Sequence, residues 1–286
     1  MSYPGKDNGN PENPDDDFSG VAEIFTELAS SQRLSIIFTI SYQRLRLSTL
    51  AKSLNLTMQE VHRNTNRLMD AGIIKKNAEG VFSLTTFGNA IVKQIPIFDF
   101  ISSNKDYFSD HQLGDIPMKF IQRMGALRGG RFISGFVSVI ETWKRLYNEA
   151  NEYIFGILPQ IPLELIQTVI PKIKDDGIKF NYILPRNAIV PKIRTDLQKR
   201  HGYVELLKQG IIERRMMEKM EVAVVLNEKQ ATVMFPTLKG ETDMNSMFLS
   251  NNAKSCDDLF HEWCLDFFRY CWHKSKFFDE GKLIEV

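Results

Sequence analysis

Residues 59–67 read Gln-Glu-Val-His-Arg-Asn-Thr-Asn-Arg, a concentration of side chains that donate and accept hydrogen bonds in planar patterns. At 3.6 residues per turn, Gln59, Arg63, Asn66 and Arg67 share one stripe of a helix, flanked by His62. Val61, Thr65, Leu68 and Gly72 share the opposite stripe. Arginine can donate a forked pair of bonds to guanine, and asparagine or glutamine can pair bidentately with adenine. A stripe of these types suits the reading of base edges. It equally suits a solvated helix face, so the surrounding elements must decide.

Other chemistry is poorly supplied. The histidines are His62, His111, His201, His261 and His273, and none opens the His–Lys–Asp spacing of a phosphodiesterase nucleophile: His201 precedes Gly-Tyr-Val and His261 precedes Glu-Trp-Cys. No Walker-type or dinucleotide glycine motif is present. Arg128-Gly-Gly-Arg-Phe132 has glycines and arginines without a strand–turn–helix context, and reads as a linker. His261, Cys264, Cys271 and His273 lie in one helical stretch. A tetrahedral metal site draws converging ligands from more than one element, and no CxxC pair accompanies them. Leu259, Phe260, Trp263, Phe267 and Tyr270 interleave with them, so the stretch reads as a core helix whose thiols act as small apolar groups. A redox role for Cys256, Cys264 or Cys271 is the minor alternative. No catalytic residue, metal or cofactor is expected.

The elements around the polar stripe favour recognition. Thr57 and Glu60 form a capping box, and Leu56 with Val61 form a hydrophobic staple, so the helix start is specified twice. Gly72 is placed to end it in a left-handed conformation. Upstream, Leu-Ser-Thr-Leu-Ala-Lys-Ser-Leu (47–54) is a short helix with Leu50, Ala51 and Leu54 inward, joined through a tight turn. Downstream, two β-rich runs flank Asn77-Ala-Glu-Gly80, a hairpin signal, and carry Lys75 and Lys76. Helix, turn, helix and basic hairpin match a winged helix, whose second helix enters the major groove. Lys75, Lys76, Arg44 and Arg46 are then expected on the phosphate backbone, where they set register without reading sequence.

The stretch 47–76 resembles the helix-turn-helix of ArsR/MarR-type winged-helix regulators, through Ala51, Leu54, Val61, Arg63, Leu68 and the run Asp70-Ala-Gly-Ile-Ile74. Thr65 departs from the large apolar residue usual there. "YFSDHQLGDIP", "VAVVLNEKQATVMFP" and the segment from Ser246 to Lys276 resemble archaeal two-domain regulators of the methanogenesis-regulatory-protein type. That resemblance spans nearly the whole chain after its first residues. It implies transcriptional regulation by a dimer, without defining an effector. A more distant similarity is to the phospholipase-D-like sensor domains of TrmB-like regulators.

Over 286 residues the formal net charge is only +1, but it is unevenly distributed. Residues 1–18 hold one Lys and five acidic residues, and are expected to be a disordered acidic tail. From Gly20 to Ile95, nine Lys/Arg face five Asp/Glu, so the global balance conceals a basic segment. Three clustered cysteines and no secretion signal argue against a disulfide scaffold. No apolar run approaches a membrane span, and a cytoplasmic location is expected.

The expected fold is mixed (α+β or α/β). A winged-helix domain covers 19–95, with two helices before Leu45 whose stripes are Ile24, Phe25 and Leu28, then Leu34, Ile37 and Ile40. A helical connecting arm covers 96–130, in which Asp115 and Pro117 start a helix, and Gly129 and Gly130 mark the boundary. An α/β effector or dimerisation domain covers 131–286 and ends in a long helix capped by Ser255 and Asp258. The expected partners are double-stranded DNA, a second copy and a small-molecule effector, with no membrane. The first helix, the arm and the last helix all qualify as dimer elements. The alternatives are a phospholipase-D-like phosphodiesterase and a protein-interaction scaffold.

Overall fold

The computed structural model describes residues 18–160, 163–193, 196, 202–251 and 259–285. The acidic tail apart from Phe18, His201, the Ser255–Asp258 cap and Cys256 lie outside the described residues. The protein is mixed α/β, and it divides into two units, Met1–Ile95 and Pro96–Val286.

In the first unit, α1 (Ser19–Leu28), α2 (Ser31–Tyr42), α3 (Leu47–Leu54), α4 (Met58–Asp70) and α5 (Thr86–Val92) accompany a three-stranded antiparallel sheet. Its strands are β1 (Leu45–Arg46), β2 (Ile74–Lys76) and β3 (Val81–Leu84), ordered β1-β3-β2. Ile36, Ile37 and Ile40 of α2, Leu50 and Ala51 of α3, Val61 and Leu68 of α4, and Ile74 and Phe82 of the sheet form one buried cluster. Period 3.6 in the helices and period 2 in the strands point all of them inward. Of the first helix's expected stripe, only Leu28 packs against this cluster, and no residue of α1 is buried. At the hairpin, Asn77 Oδ1 accepts from the amides of Glu79 (3.1 Å) and Val81 (2.8 Å), which fixes the turn.

The second unit begins with α6 (Ile95–Ser103), α7 (Lys105–Asp110), α8 (Met118–Ile121) and a 3-10 turn (Met124–Leu127). Its sheet has eight strands: β4 (Arg131–Ser134), β5 (Tyr153–Ile157), β6 (Lys179–Pro185), β8 (Ile212–Met217), β9 (Ala223–Asn227), β10 (Ala231–Met234), β11 (Ser246–Leu249) and β12 (Lys276–Phe277). They run in the order β12-β8-β6-β5-β9-β10-β11-β4, with β5, β6 and β8 parallel and the remaining pairs antiparallel. A separate parallel pair joins β7 (Ile189–Val190) to β13 (Ile284–Glu285). The other helices are α9 (Phe136–Glu149), α10 (Leu163–Asp176), α11 (Tyr203–Lys208) and α12 (Leu259–Lys274).

Alternation along the strands divides this core into two clusters. Phe180, Tyr182 and Leu184 lie with Trp143 and Tyr147 of α9 and Ile170 of α10. Ile183, Val224 and Leu226 lie with Trp263 and Phe267 of α12. Phe100, Phe120, Met124 and Leu127 belong to the second cluster, so 96–130 is a packed layer of the second unit and not a connecting arm. Its helices are only four to nine residues long, which leaves no sustained period to read. The break between units precedes Pro96, and Gly130 is instead packed against the Phe260 ring. The supposed linker at Arg131 and Phe132 is edge strand β4, paired with β11. Among the described residues, no helix is long and apolar enough to cross a membrane.

Candidate nucleic-acid interface

The expected start of α4 is built as a reciprocal cap. The Glu60 amide donates to Thr57 Oγ1 (3.2 Å) and the Thr57 amide donates to Glu60 Oε2 (2.8 Å). Those bonds, first from the Thr57 amide and then from its hydroxyl, with Gln32 adding a third, hold the Glu60 carboxyl below the usual carboxylate range. At the other end Gly72 has φ +69°, and the amides of Gly72 and Ile73 donate to the carbonyls of Met69 and Leu68, both at 2.9 Å. This paired closure satisfies carbonyls that the last helical turn leaves open. The corner between α3 and α4 repeats the device, with Asn55 at φ +53° and the Leu56 amide on Ala51 O at 3.0 Å. Asparagine tolerates the left-handed region better than other non-glycine residues.

The inward side of α4 is partly polar. Asn64 and Thr65 are buried beside Val61 and Leu68. Asn64 Nδ2 donates to Gln32 Oε1 (2.9 Å), and Gln32 Nε2 donates to Glu60 Oε1 (3.2 Å), so a carboxamide relay ties α2 to α4. Thr65 Oγ1 lies 2.8 Å from the Val61 carbonyl and 3.0 Å from that of His62. The hydroxyl that replaces a large apolar group is therefore bonded within its own helix. Sequence reading missed this relay. Its only signal was a polar residue, Asn64, beside the apolar stripe.

On the outward side, Gln59, His62, Arg63 and Arg67 are exposed and Asn66 is half-buried. Asn66 Nδ2 approaches His62 Nδ1 at 3.5 Å. Arg67 differs from its neighbours, because its Nε and Nη2 donate to the two Glu27 oxygens of α1 at 3.0 and 2.5 Å. The Arg67 hydrogen bonds lower the Glu27 carboxyl below its ordinary range, with the charges of Arg67 and Arg33 adding to them. The arc left open to a ligand is Gln59, His62, Arg63 and Asn66.

The four outlying basic residues separate by strand alternation. Lys75 pairs with Ser83 and Arg46 with Val81, which places both on the sheet face away from Phe82. Lys76 pairs with Phe82 itself, and its Nζ lies 5.7 Å from that ring's centre. Arg44 and Lys75 line an open cleft of about 420 Å³ together with Ser41, Gln43, Thr86 and Asn89. Adjacent lysines thus serve opposite faces, with Arg44, Lys75 and Arg46 on one side and Lys76 on the other.

The second unit holds a group that sequence reading missed because its members are 132 residues apart. His111 Nε2 lies 3.1 Å from Asp243 Oδ2, and His111 Nδ1 lies 2.8 Å from the Tyr107 carbonyl. The Tyr107 ring stacks on the imidazole at 3.8 Å. Ser246 Oγ donates to the same Asp243 oxygen. Hydroxyl and imidazole thus converge on one carboxylate oxygen, and against the opposing effect of burial their bonds help hold the Asp243 carboxyl below its ordinary range.

His261 Nε2 lies 2.6 Å from the Asn227 carbonyl, and Cys264 is wholly buried near Thr232 O. Among the described residues, no group of three His, Cys, Asp or Glu is placed to hold a metal ion. Burial pushes the Cys271 thiol up to about 12.

No family model and no curated protein matches the chain. Among solved structures, the chain is similar to TrmBL2, described as an archaeal chromatin protein with a novel mode of DNA binding (13% identity, 92% of this chain and 99% of that one, TM-score 0.39). It is also similar to the homodimeric winged helix-turn-helix domain of Mb0332 from Mycobacterium bovis (15% identity, 34% and 91%, TM-score 0.30). A third similarity is to the dimethyltransferase RosA from Streptomyces davawensis (9% identity, 70% and 65%, TM-score 0.26). These scores fall short of a shared fold, and the function rests on the chain's own geometry.

Proposed function

We propose that the chain is a sequence-specific DNA-binding transcriptional regulator whose first unit is a winged helix. In this reading α4 lies in the major groove, and Gln59, His62, Arg63 and Asn66 meet base edges. Lys75, with Arg44 and Arg46, meets phosphate from the outward face of the wing, and Lys76 does so from the other side. Arg67, engaged with Glu27, positions α4 against α1. A second copy supplies the matching half-site reader, and the α/β unit responds to a small molecule. No catalytic step is assigned to either unit.

The observation that carries this reading is the division of α4. One arc holds buried Val61, Asn64, Thr65 and Leu68, and the other presents exposed Gln59, His62 and Arg63 with half-buried Asn66 beside them. A merely solvated face needs no such orientation, whereas here both ends and the inner face of the helix are pinned. Footprinting the purified protein on its best genomic fragment, followed by titration across ionic strength, tests the reading. Specific protection is expected, with affinity falling steeply as salt rises. Salt-independent binding, or a site preference unchanged in Arg63→Ala, overturns it. Turnover of a model phosphodiester would instead favour a hydrolytic protein.

A further inference from the structure

We propose that a cleft in the second unit, between α12 and the segment joining β8 to β9, binds a small zwitterion with an apolar tail, the chemistry of a free aliphatic or aromatic α-amino acid. The proposal supplies a ligand class for the sensing role above and rests on that role only for its consequence.

The cleft measures about 210 Å³. That is below the roughly 300 Å³ at which sites for larger ligands begin, so nucleotides and cofactors are too large. One wall is a single stripe of α12, with Phe267, Tyr270, Cys271 and Lys274 at i, i+3, i+4 and i+7. The facing wall carries Met217, Met220 and Val222, with Asp115 and Glu221 as its acidic groups. Carboxylates, ammonium groups and apolar side chains thus line one cleft.

Glu221 is set in place by the backbone around it. Its side chain is only 6% exposed. Gly114, at φ +62°, lies so close that an added Cβ would stand 2.6 Å from Glu221 Oε2. Asp115, expected from sequence to begin a helix, lies at this cleft instead, and Pro117 alone precedes α8. Partial desolvation and the adjacent Glu221 carboxylate raise the Asp115 carboxyl above its ordinary range. The resident counter-ion is Lys219, paired with Glu221 and 3.9 Å from Asp115, but its side chain is 65% exposed. Lys219 is engaged chiefly with Glu221, so the neighbouring Asp115 carboxylate is further stabilised by a second cation.

A bare cation is a poorer fit. Lys274 Nζ lies 4.5 Å from the Tyr270 ring centre and Lys119 Nζ lies 4.4 Å from it. A bare anion meets Glu221 and Asp115. A ligand with an amine for the carboxylates, a carboxylate for Lys274 and an apolar side chain for Met217, Met220, Val222 and Phe267 satisfies every wall. The protonated Cys271 thiol contributes volume and no covalent chemistry.

Calorimetric titration of the full chain without DNA tests this, using L-leucine, L-methionine and L-phenylalanine. Saturable binding of at least one at millimolar concentration or below is expected. For the leucine skeleton, 4-methylpentanoate lacks the amine and 3-methylbutylamine lacks the carboxylate, and each should bind at least about tenfold more weakly. Asp115→Asn and Lys274→Gln change exposed positions, so they should preserve the circular dichroism spectrum while weakening binding by about tenfold or more. Absence of binding by all three amino acids overturns the proposal, as does equal affinity for 3-methylbutylamine or indifference to both substitutions. Intact DNA binding without amino-acid binding removes this proposal alone. Amino-acid binding without DNA binding removes the regulator reading alone.

Discussion

At the residue scale, Arg63 and Arg67 stand four residues apart on one helical stripe and differ in their partners. Arg63→Ala should cost about 1–3 kcal/mol of affinity for the preferred duplex and flatten discrimination at one base pair, measured by competition with single-base variants. Arg67→Ala should lower the thermal stability of the first unit while leaving the ranking of duplexes unchanged, because its guanidinium is spent on Glu27. No sequence pattern distinguishes the two, since both lie on the exposed stripe and the partner acid is 40 residues away. Thr57 and Glu60, by contrast, were legible from spacing alone, because a capping box is local. Cys271 shows the same limit from the other side. Its type invited redox chemistry, but with burial raising the thiol to about 12, alkylation by iodoacetamide at neutral pH should be far slower than for a free thiol.

At the element scale, the cap makes α4 sensitive to acid. The Glu60 carboxyl is held below its ordinary range in the folded state, so its contribution is complete above the ordinary carboxylate range and is lost as pH falls through the depressed value. The difference in thermal midpoint between the parent and Glu60→Gln should therefore be constant near neutrality and shrink below the ordinary carboxylate range. Thr57→Ala should cost about 1 kcal/mol at neutral pH. In the wing, Lys75→Ala should weaken binding equally for all sequences and reduce the salt slope by about one. Several elements were readable from their periods, including α2, α3, α4 and the closing helix. Strand β8 was not, because Glu213, Arg214 and Arg215 break its alternation. Arg214 stacks over Phe278 at 4.1 Å and Arg215 over Trp272 at 4.9 Å, so their stems do the work of apolar residues.

At the scale of the whole molecule, no buried cluster spans the two units, the first holding one and the second two, which predicts two unfolding transitions. All three tryptophans, Trp143, Trp263 and Trp272, belong to the second unit. Tryptophan emission should follow that unit alone, whereas far-ultraviolet circular dichroism follows both, so the two heating curves should not coincide. Trp263→Ala, which empties a fully buried position, should cost about 3–5 kcal/mol and shift the fluorescence curve together with the second unit's part of the dichroism curve, leaving the first unit's transition in place. The two-unit plan was legible in the charge distribution and in the change from helices to alternating strands. The membership of 96–130 was not, since short helical pieces show their allegiance only through distant partners such as Trp263, whose Nε1 donates to Phe120 O at 3.0 Å.

The carboxamide relay from Asn64 through Gln32 to Glu60 has a practical corollary for retargeting. Greasy contacts tolerate a helix that rolls by a fraction of a turn, but directional polar ones do not. A foreign reading helix transplanted wholesale into this scaffold would lose that rotational key and present its side chains at the wrong azimuth. On the proposed function, an engineer who wants a new operator should exchange only positions 59, 62, 63 and 66, leaving Gln32, Glu60 and Asn64 in place.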